Sequence, residues 1–404
     1  MKIKKLLIDV GIMALASGVL LLGTWYYKKH PGLFAHQGQE AAYADSSHVL
    51  KVWYTNERLT DFLTQAVGEY TEKSQISVEI QCVDTGEYLE QINQANMKGE
   101  GQPDIFLMES SIMEEAVLSG LAVENTDDSY SKKNYYGTAL KACGYQGKIY
   151  GYPLCFNTAF LVYNKDYVTA IPTTFEDIKL LANQFQGDEK IQYMMEWDVK
   201  DLLYNYGIVG SSITYMEEAD ENGKFVKVDE QVLKVSLKLY QELSQYFSIN
   251  PDTITYQKVC EDFLNQKAIF IIAGTDFLKD LKSSNVSYGI LAYPNVSNEI
   301  PSRSLSITEL IMVNPYTRAE KSATDLAKFL TYDKAQSVGQ HSDYVSARIL
   351  AKDEDIKKVG EIYSSSTNMP GLMATSGYWL DLRLALNQSW KGADFETVCE
   401  ILKK

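Results

Sequence analysis

Beyond residue 48 the chain switches repeatedly between a two-residue and a helical hydrophobic rhythm. Val49, Leu50, Lys51, Val52 and Trp53 read as a strand, and Leu59, Phe62, Leu63, Ala66, Val67 and Tyr70 then recur at helical spacing. Ile76, Val78, Ile80 and Cys82 alternate as a second strand, a helix is predicted over about 87–98, residues 104–108 form a short apolar strand after Pro103, and another helix covers about 111–119. This βαβα order predicts an α/β fold in which a parallel sheet carries helices on both faces. Ligands in such sheets bind beyond the carboxyl ends of the strands, which puts the loops at 54–58 and 109–111 on the site side. A hairpin around Gln146-Gly147-Lys148 leads into a second alternating set that begins with Phe160-Leu161-Val162-Tyr163. Helices are expected there near 175–186, 199–207, 229–247 and 256–267, with strands at 268–273 and 288–293.

The first thirty residues follow another pattern. Lys2, Lys4 and Lys5 precede a mostly apolar run over 6–27 that ends in Trp25, Tyr26 and Tyr27, followed by Lys28 and Lys29. About twenty such residues suffice to cross roughly 30 Å of hydrocarbon, with an aromatic belt at one end and lysines on both sides. The pattern predicts a signal anchor over 1–30, uncleaved and with its N-terminus inside, then a polar tether over 31–47 that delivers the rest of the chain outside the cytoplasm. Ala42-Tyr43-Ala44 has the form of a cleavage site but lies far from the apolar run. The first cysteine is Cys82, so no lipid-anchoring cysteine follows the run.

Composition narrows the function classes. With 404 residues, 45% hydrophobic and 23% charged, the chain is globular and long enough for two lobes. A net charge of −15 repels phosphate backbones, which argues against nucleic acid as a partner. Five scattered cysteines without C-x-x-C spacing read as small buried hydrophobes, and a Cys143–Cys155 bridge would sit out of register across the hairpin. Four histidines with no H-E-x-x-H arrangement leave no visible metal site, and nothing calls for a cofactor. The 28 tyrosines, against 14 phenylalanines, supply flat rings with a polar tip, suited to half-wet binding surfaces.

Several segments in order carry a resemblance: Gln102-Pro103-Asp104-Ile105-Phe106, then Gly147-Lys148-Ile149-Tyr150-Gly151-Tyr152-Pro153, then Leu161-Val162-Tyr163-Asn164-Lys165-Asp166. Thr173-Thr174-Phe175-Glu176-Asp177, residues 267–274, residues 327–331 and Met369-Pro370 leading to Trp379 continue it. Over roughly 48–400 the chain resembles the family 1 extracellular solute-binding proteins of carbohydrate ABC transporters. The resemblance implies a two-lobed periplasmic-binding-protein-like fold of type II, with lobe 1 at 48–155 plus about 306–331 and lobe 2 at 156–305 plus about 335–404. It also implies a monomer that binds a carbohydrate between the lobes, docks on ABC permease subunits and is not an enzyme.

Sugars present hydroxyls at their edges and C–H groups on their faces, so a sugar site needs carboxylates, amides and guanidinium groups beside aromatic plates. The resemblance assigns stacking to Trp197 and Trp379, a hydrogen-bonding fork to Arg383 one turn after Trp379, sugar hydrogen bonds to Glu57 and Arg58, and an amide contact to Asn157. Two departures stand out. Gly274-Thr275-Asp276 stands where many members have Gly-x-Trp, and Met108 stands near another family tryptophan. Fewer plates argue against a long maltodextrin. Glu109, Glu309 and Asp276 would make the cleft acidic, consistent with a small, densely hydrogen-bonded sugar or an amine-bearing ligand. Other readings are a ligand-presenting receptor for a sensor kinase, a glycosidase using Glu57 with Glu109, and a ferric-ion binder using Tyr135-Tyr136.

Overall fold

The structure, a computed structural model, describes residues 48–402 apart from 217, 222, 351 and 352. The expected anchor and tether lie outside the described residues. Among the described residues no helix is long and apolar enough to cross a membrane.

Strand β1 (Leu50–Tyr54) buries Leu50, Val52 and Tyr54 and leaves the residues between them partly exposed. It lies between β2 (Val78–Cys82) and β3 (Ile105–Glu109), parallel to both. Helix α1 (Thr60–Ser74) follows β1 and buries Phe62, Leu63, Ala66, Val67 and Tyr70, the apolar stripe seen in its sequence. Helix α2 (Tyr88–Lys98) follows β2 and stops at Gly99, whose φ of 70° is a left-handed conformation open to glycine at little cost. In the hairpin of Gly144-Tyr145 with Lys148-Ile149, Gln146 (φ 48°) and Gly147 (φ 77°) form the tight turn. Cys143 and Cys155 are buried and carry no bridge to each other, while Cys82 is exposed.

Strand β4 (Tyr152–Asn164) is thirteen residues long, and all but Asn157 are buried. That exceeds the usual strand length and suits a central position with both faces covered. After it come β5 (Tyr193–Glu196), β6 (Ala268–Gly274), β7 (Tyr288–Leu291) and β8 (Leu305–Val313), and then the short β9 (Val345–Ser346) and β10 (Thr367–Asn368). The sheet runs β2-β1-β3-β8-β4-β6-β5, with β7 and β9 also on β4 and β10 on β8. From Tyr152 to Thr158, β4 pairs antiparallel with β8. From Ala159 to Tyr163 it pairs antiparallel with β6. One strand therefore belongs to two sheet regions, the first built around β1 and the second around β6. Its middle is held by Phe156 stacked on Tyr363, with centroids 3.8 Å apart and rings 4° from parallel. Where β8 faces both β3 and β4, a bulge interrupts its register with β4 between Glu309 and Leu310.

The second region carries α3 (Leu202–Val209), α4 (Glu230–Phe247), α5 (Tyr256–Leu264), α6 (Ser376–Trp390) and α7 (Phe395–Leu402). Helix α3 begins at 202 instead of the expected 199 because the Asp201 carboxylate accepts from the Leu203 N–H and caps it there. Helix α5 ends before the expected 267, since Gln266 turns left-handed at φ 58° to start β6. A hairpin of Ile213–Tyr215 with Val226–Val228 was not announced by periodicity, three residues being too few to show a rhythm.

Candidate functional site

The loops after β1, β3 and β6 meet the bulge of β8 and the middle of β4. After β1, the Asn56 side chain accepts from the Arg58 N–H and starts a short turn over Glu57–Leu59, which presents Glu57 and Arg58 at the strand end and leads into α1. After β6, Gly274 leads into a short turn over Thr275–Phe277. A Cβ at Gly274 would lie 2.6 Å from both Asn157 Oδ1 and Asp276 Oδ1, so these two side chains crowd a backbone only glycine can offer.

An ion pair joins the loop after β1 to the turn after β6. Arg58 Nη1 donates to Asp276 Oδ2 at 2.5 Å, and the Tyr256 hydroxyl donates to Asp276 Oδ1 at 2.7 Å. Burial works against the Arg58 charge, but the neighbouring Asp276 carboxylate outweighs it and raises its pKa. Asn157 sits directly beneath, its Oδ1 accepting from the Thr275 N–H at 2.8 Å and the Thr275 hydroxyl at 2.9 Å. The expectation that Asp276 adds free acidity needs correction, because its two oxygens are already matched by a guanidinium and a phenol.

On the first region, Glu109 and Glu309 face each other across β3 and β8 in direct register. Glu309 is 6% exposed, and its Oε1 has no hydrogen-bond partner. Burial first, and the Glu109 charge second, push its carboxyl up to about 8, against the opposing hydrogen bond with Asn56. Glu109 reaches solvent at the strand end, and crowding by surrounding protein still raises its pKa against hydrogen bonding from Ser111. Asn56 links this corner to the ion pair: its amide donates to the Tyr344 hydroxyl at 3.1 Å, and Tyr344 lies within the fields of Asp276 and Arg58.

The other expected residues divide. Arg383 is exposed on α6 and acts on Asp201, whose pKa burial raises while Asp198 and Asp276 add to the shift and Arg383 opposes it. Trp379 is buried and stacks on Tyr215 with centroids 4.9 Å apart, its Nε1 without a partner. Glu57 is exposed and raises the Cys82 thiol, secondary to burial, so it stands toward β2 and outside the ion pair. Trp197 is a correction. It is 0% exposed, its Nε1 donates to Asn205 Oδ1 at 2.9 Å, and it packs edge-on against Trp390 at 5.2 Å. The resemblance placed it in the cleft, but the chain turns inward after β5 and drives the indole against α3 and α4.

Sequence reasoning passed over Asn56, Tyr88, Asp201, Tyr204, Tyr256 and Tyr344. Tyr204 and Tyr256 stack at 4.6 Å beside Asp276. The only available signal was the abundance of tyrosine, since these residues come from five separate segments.

Residues 65–348 match the family model of the bacterial extracellular solute-binding proteins. Among curated proteins, a galactooligosaccharide-binding protein of Bacillus subtilis (strain 168) is 21% identical, with 83% of each chain covered. A maltooligosaccharide ABC transporter solute-binding lipoprotein of Streptococcus pneumoniae (strain ATCC BAA-255 / R6) is 20% identical, over 81% of this chain and 80% of that one. A solved cyclo/maltodextrin-binding protein complexed with maltotetraose superposes with a TM-score of 0.72 at 18% identity, covering 90% of this chain and 98% of the other. This likeness establishes the mixed α/β, two-lobed fold.

Proposed function

Because the chain belongs to the bacterial extracellular solute-binding proteins, we propose that it is the solute-binding component of an ABC importer, which holds a carbohydrate between its lobes and passes it to a membrane permease. The observation that carries this reading is the Arg58–Asp276 pair over Asn157, a polar bridge between two sheet regions at the strand ends where α/β folds bind ligands. The galactooligosaccharide and maltooligosaccharide named for the relatives support the sugar class.

Lobe 1 takes 48–155 with about 306–331, and lobe 2 takes 156–305 with about 335–404. Arg58, Asn157, Asp276 and Arg383 offer donors and acceptors to sugar hydroxyls, with Glu57, Glu109 and Glu309 on the lobe 1 side. Trp379 supplies the aromatic plate, which its unpartnered Nε1 would complete by donating to a hydroxyl. Closure follows from differential affinity: the solute favours the state in which both lobes touch it, and the closed monomer docks on the permease without chemistry. Residues 1–30 anchor the chain in the cell membrane as a single span, with the lobes outside on the tether.

A thermal-shift screen of the purified chain against mono- and oligosaccharides tests the reading. A sugar at a hundredfold excess over its Kd stabilises the native state by about 2.7 kcal/mol. If no sugar shifts the transition while another solute class does, the carbohydrate assignment falls.

A further inference from the structure

The Glu109–Glu309 corner differs from several other buried or half-buried acids by what it lacks. Asp276 has Arg58, the Glu196 and Asp262 cluster has Lys258, and Asp127 has Lys328. Neither Glu109 nor Glu309 forms an ion pair among the described residues. The Tyr88 hydroxyl, on a residue 6% exposed, also has no partner, and it feels the Glu309 charge from α2. The groups facing Glu309 are therefore Glu109 from β3, Asn56 from the loop after β1, Cys155 from β4 and Tyr88 from α2, none of them a cation. Glu109 is exposed at the strand end and Glu309 Oε1 is buried without a partner, so the pair offers acceptors at its outer and inner ends and no positive charge.

We propose that Glu109 and Glu309 form a subsite for a protonated amine on the bound saccharide, so that the cargo class is an amino sugar or a short oligosaccharide containing one. The inference rests on the carbohydrate reading above. An ammonium group carries three donors and a positive charge. It satisfies Glu309 Oε1, offsets the repulsion that arises once both carboxylates are ionised, and turns an uncompensated burial into a charge-assisted contact. In the empty site Glu309 holds a proton at neutral pH. The incoming cation favours the ionised carboxylate, so that proton leaves to solvent on binding.

Isothermal titration of the full chain at neutral pH with the trisaccharide of glucosamine and with its fully N-acetylated counterpart tests this. The glucosamine form should bind about tenfold tighter or better. Repeating the titration in buffers of different ionisation enthalpy should show release of about one proton for the amine alone. Glu309→Gln should erase most of the preference for the amine, and Glu109→Gln, at the solvent end of the pair, should reduce it and keeps the test valid if the buried substitution unfolds the chain. Equal affinity for the two trisaccharides, a preference that survives both substitutions, or the same heat from calcium chloride alone would overturn the proposal. Tight binding of only the N-acetylated form sinks the amine subsite and leaves the carbohydrate reading standing. Binding of a plain diamine with no saccharide doing so keeps the subsite and sinks the carbohydrate reading.

Discussion

Two polar clusters, one in each sheet region, treat burial in opposite ways. Around Trp197 the indole and the amide it meets are answered: Asn205 Oδ1 accepts from the Trp197 indole and from the Tyr240 hydroxyl at 2.6 Å, and Asn205 Nδ2 donates to the carbonyls of Asp198 and Asp201. Around Glu309 the Oε1 and the Tyr88 hydroxyl have no partner. A buried polar group left unpaired costs about 1–3 kcal/mol, so a chain that completes one network and leaves the other open is spending stability where a ligand can return it. The first cluster is architecture. The second is the corner to which the amine-subsite proposal assigns a ligand.

The strongest way to break this contrast is Trp197→Ala. It empties a closed core and orphans Asn205, and should lower ligand-free stability by about 3–5 kcal/mol in denaturant unfolding. A small loss would mean that the indole is not structural.

Next comes Glu309→Gln. The unfolded carboxyl releases its proton near its ordinary 4.5, while the folded one holds it to about 8. Native stability therefore falls as pH climbs through that window and stays reduced above it. Replacement by Gln should recover about 2–4 kcal/mol above pH 8 and nothing below 4.5. A pH-independent difference between the two proteins would remove Glu309 as an uncompensated acid.

Trp379 sharpens the comparison, because it is buried like Trp197 yet keeps an unanswered Nε1. Trp379→Ala should weaken carbohydrate binding by about 1–3 kcal/mol in titration calorimetry, with a smaller stability loss than Trp197→Ala. Unchanged affinity would move it into the architectural class.

The smallest effect on stability belongs to Arg58→Ala. The guanidinium side chain is 49% exposed, so its pair with Asp276 contributes roughly 0–1 kcal/mol to the folding free energy. Its consequence is geometric: without it the sugar-free chain should open, raising the radius of gyration in small-angle scattering. An unchanged radius would show that the pair does not hold the lobes together.

Much of this was legible along the chain because it depends on neighbours in sequence. Alternation in β1, the stripe of α1 and the turn at Gln146-Gly147 are local rhythms, and a local rhythm survives in any fold that uses it. The placement of Arg58 and Asp276 just after apolar runs was also visible, while Asn157 came from the resemblance and lies in the middle of β4. Which partner each residue meets was not. Asp276 looked like free charge until the fold brought Arg58 to it from 218 positions away. Trp197 looked like a cleft residue until α3 and α4 closed over it. Tyr88, Tyr256 and Tyr344 carried no pattern at all. The sequence by itself determined the alternation of elements and the stock of carboxylates, amides and rings, because short-range periodicity and residue chemistry are properties of the chain. Only the tertiary structure decided which acids are neutralised and which are left bare, because compensation of charge depends on distances that exist only after long-range strand pairing has closed.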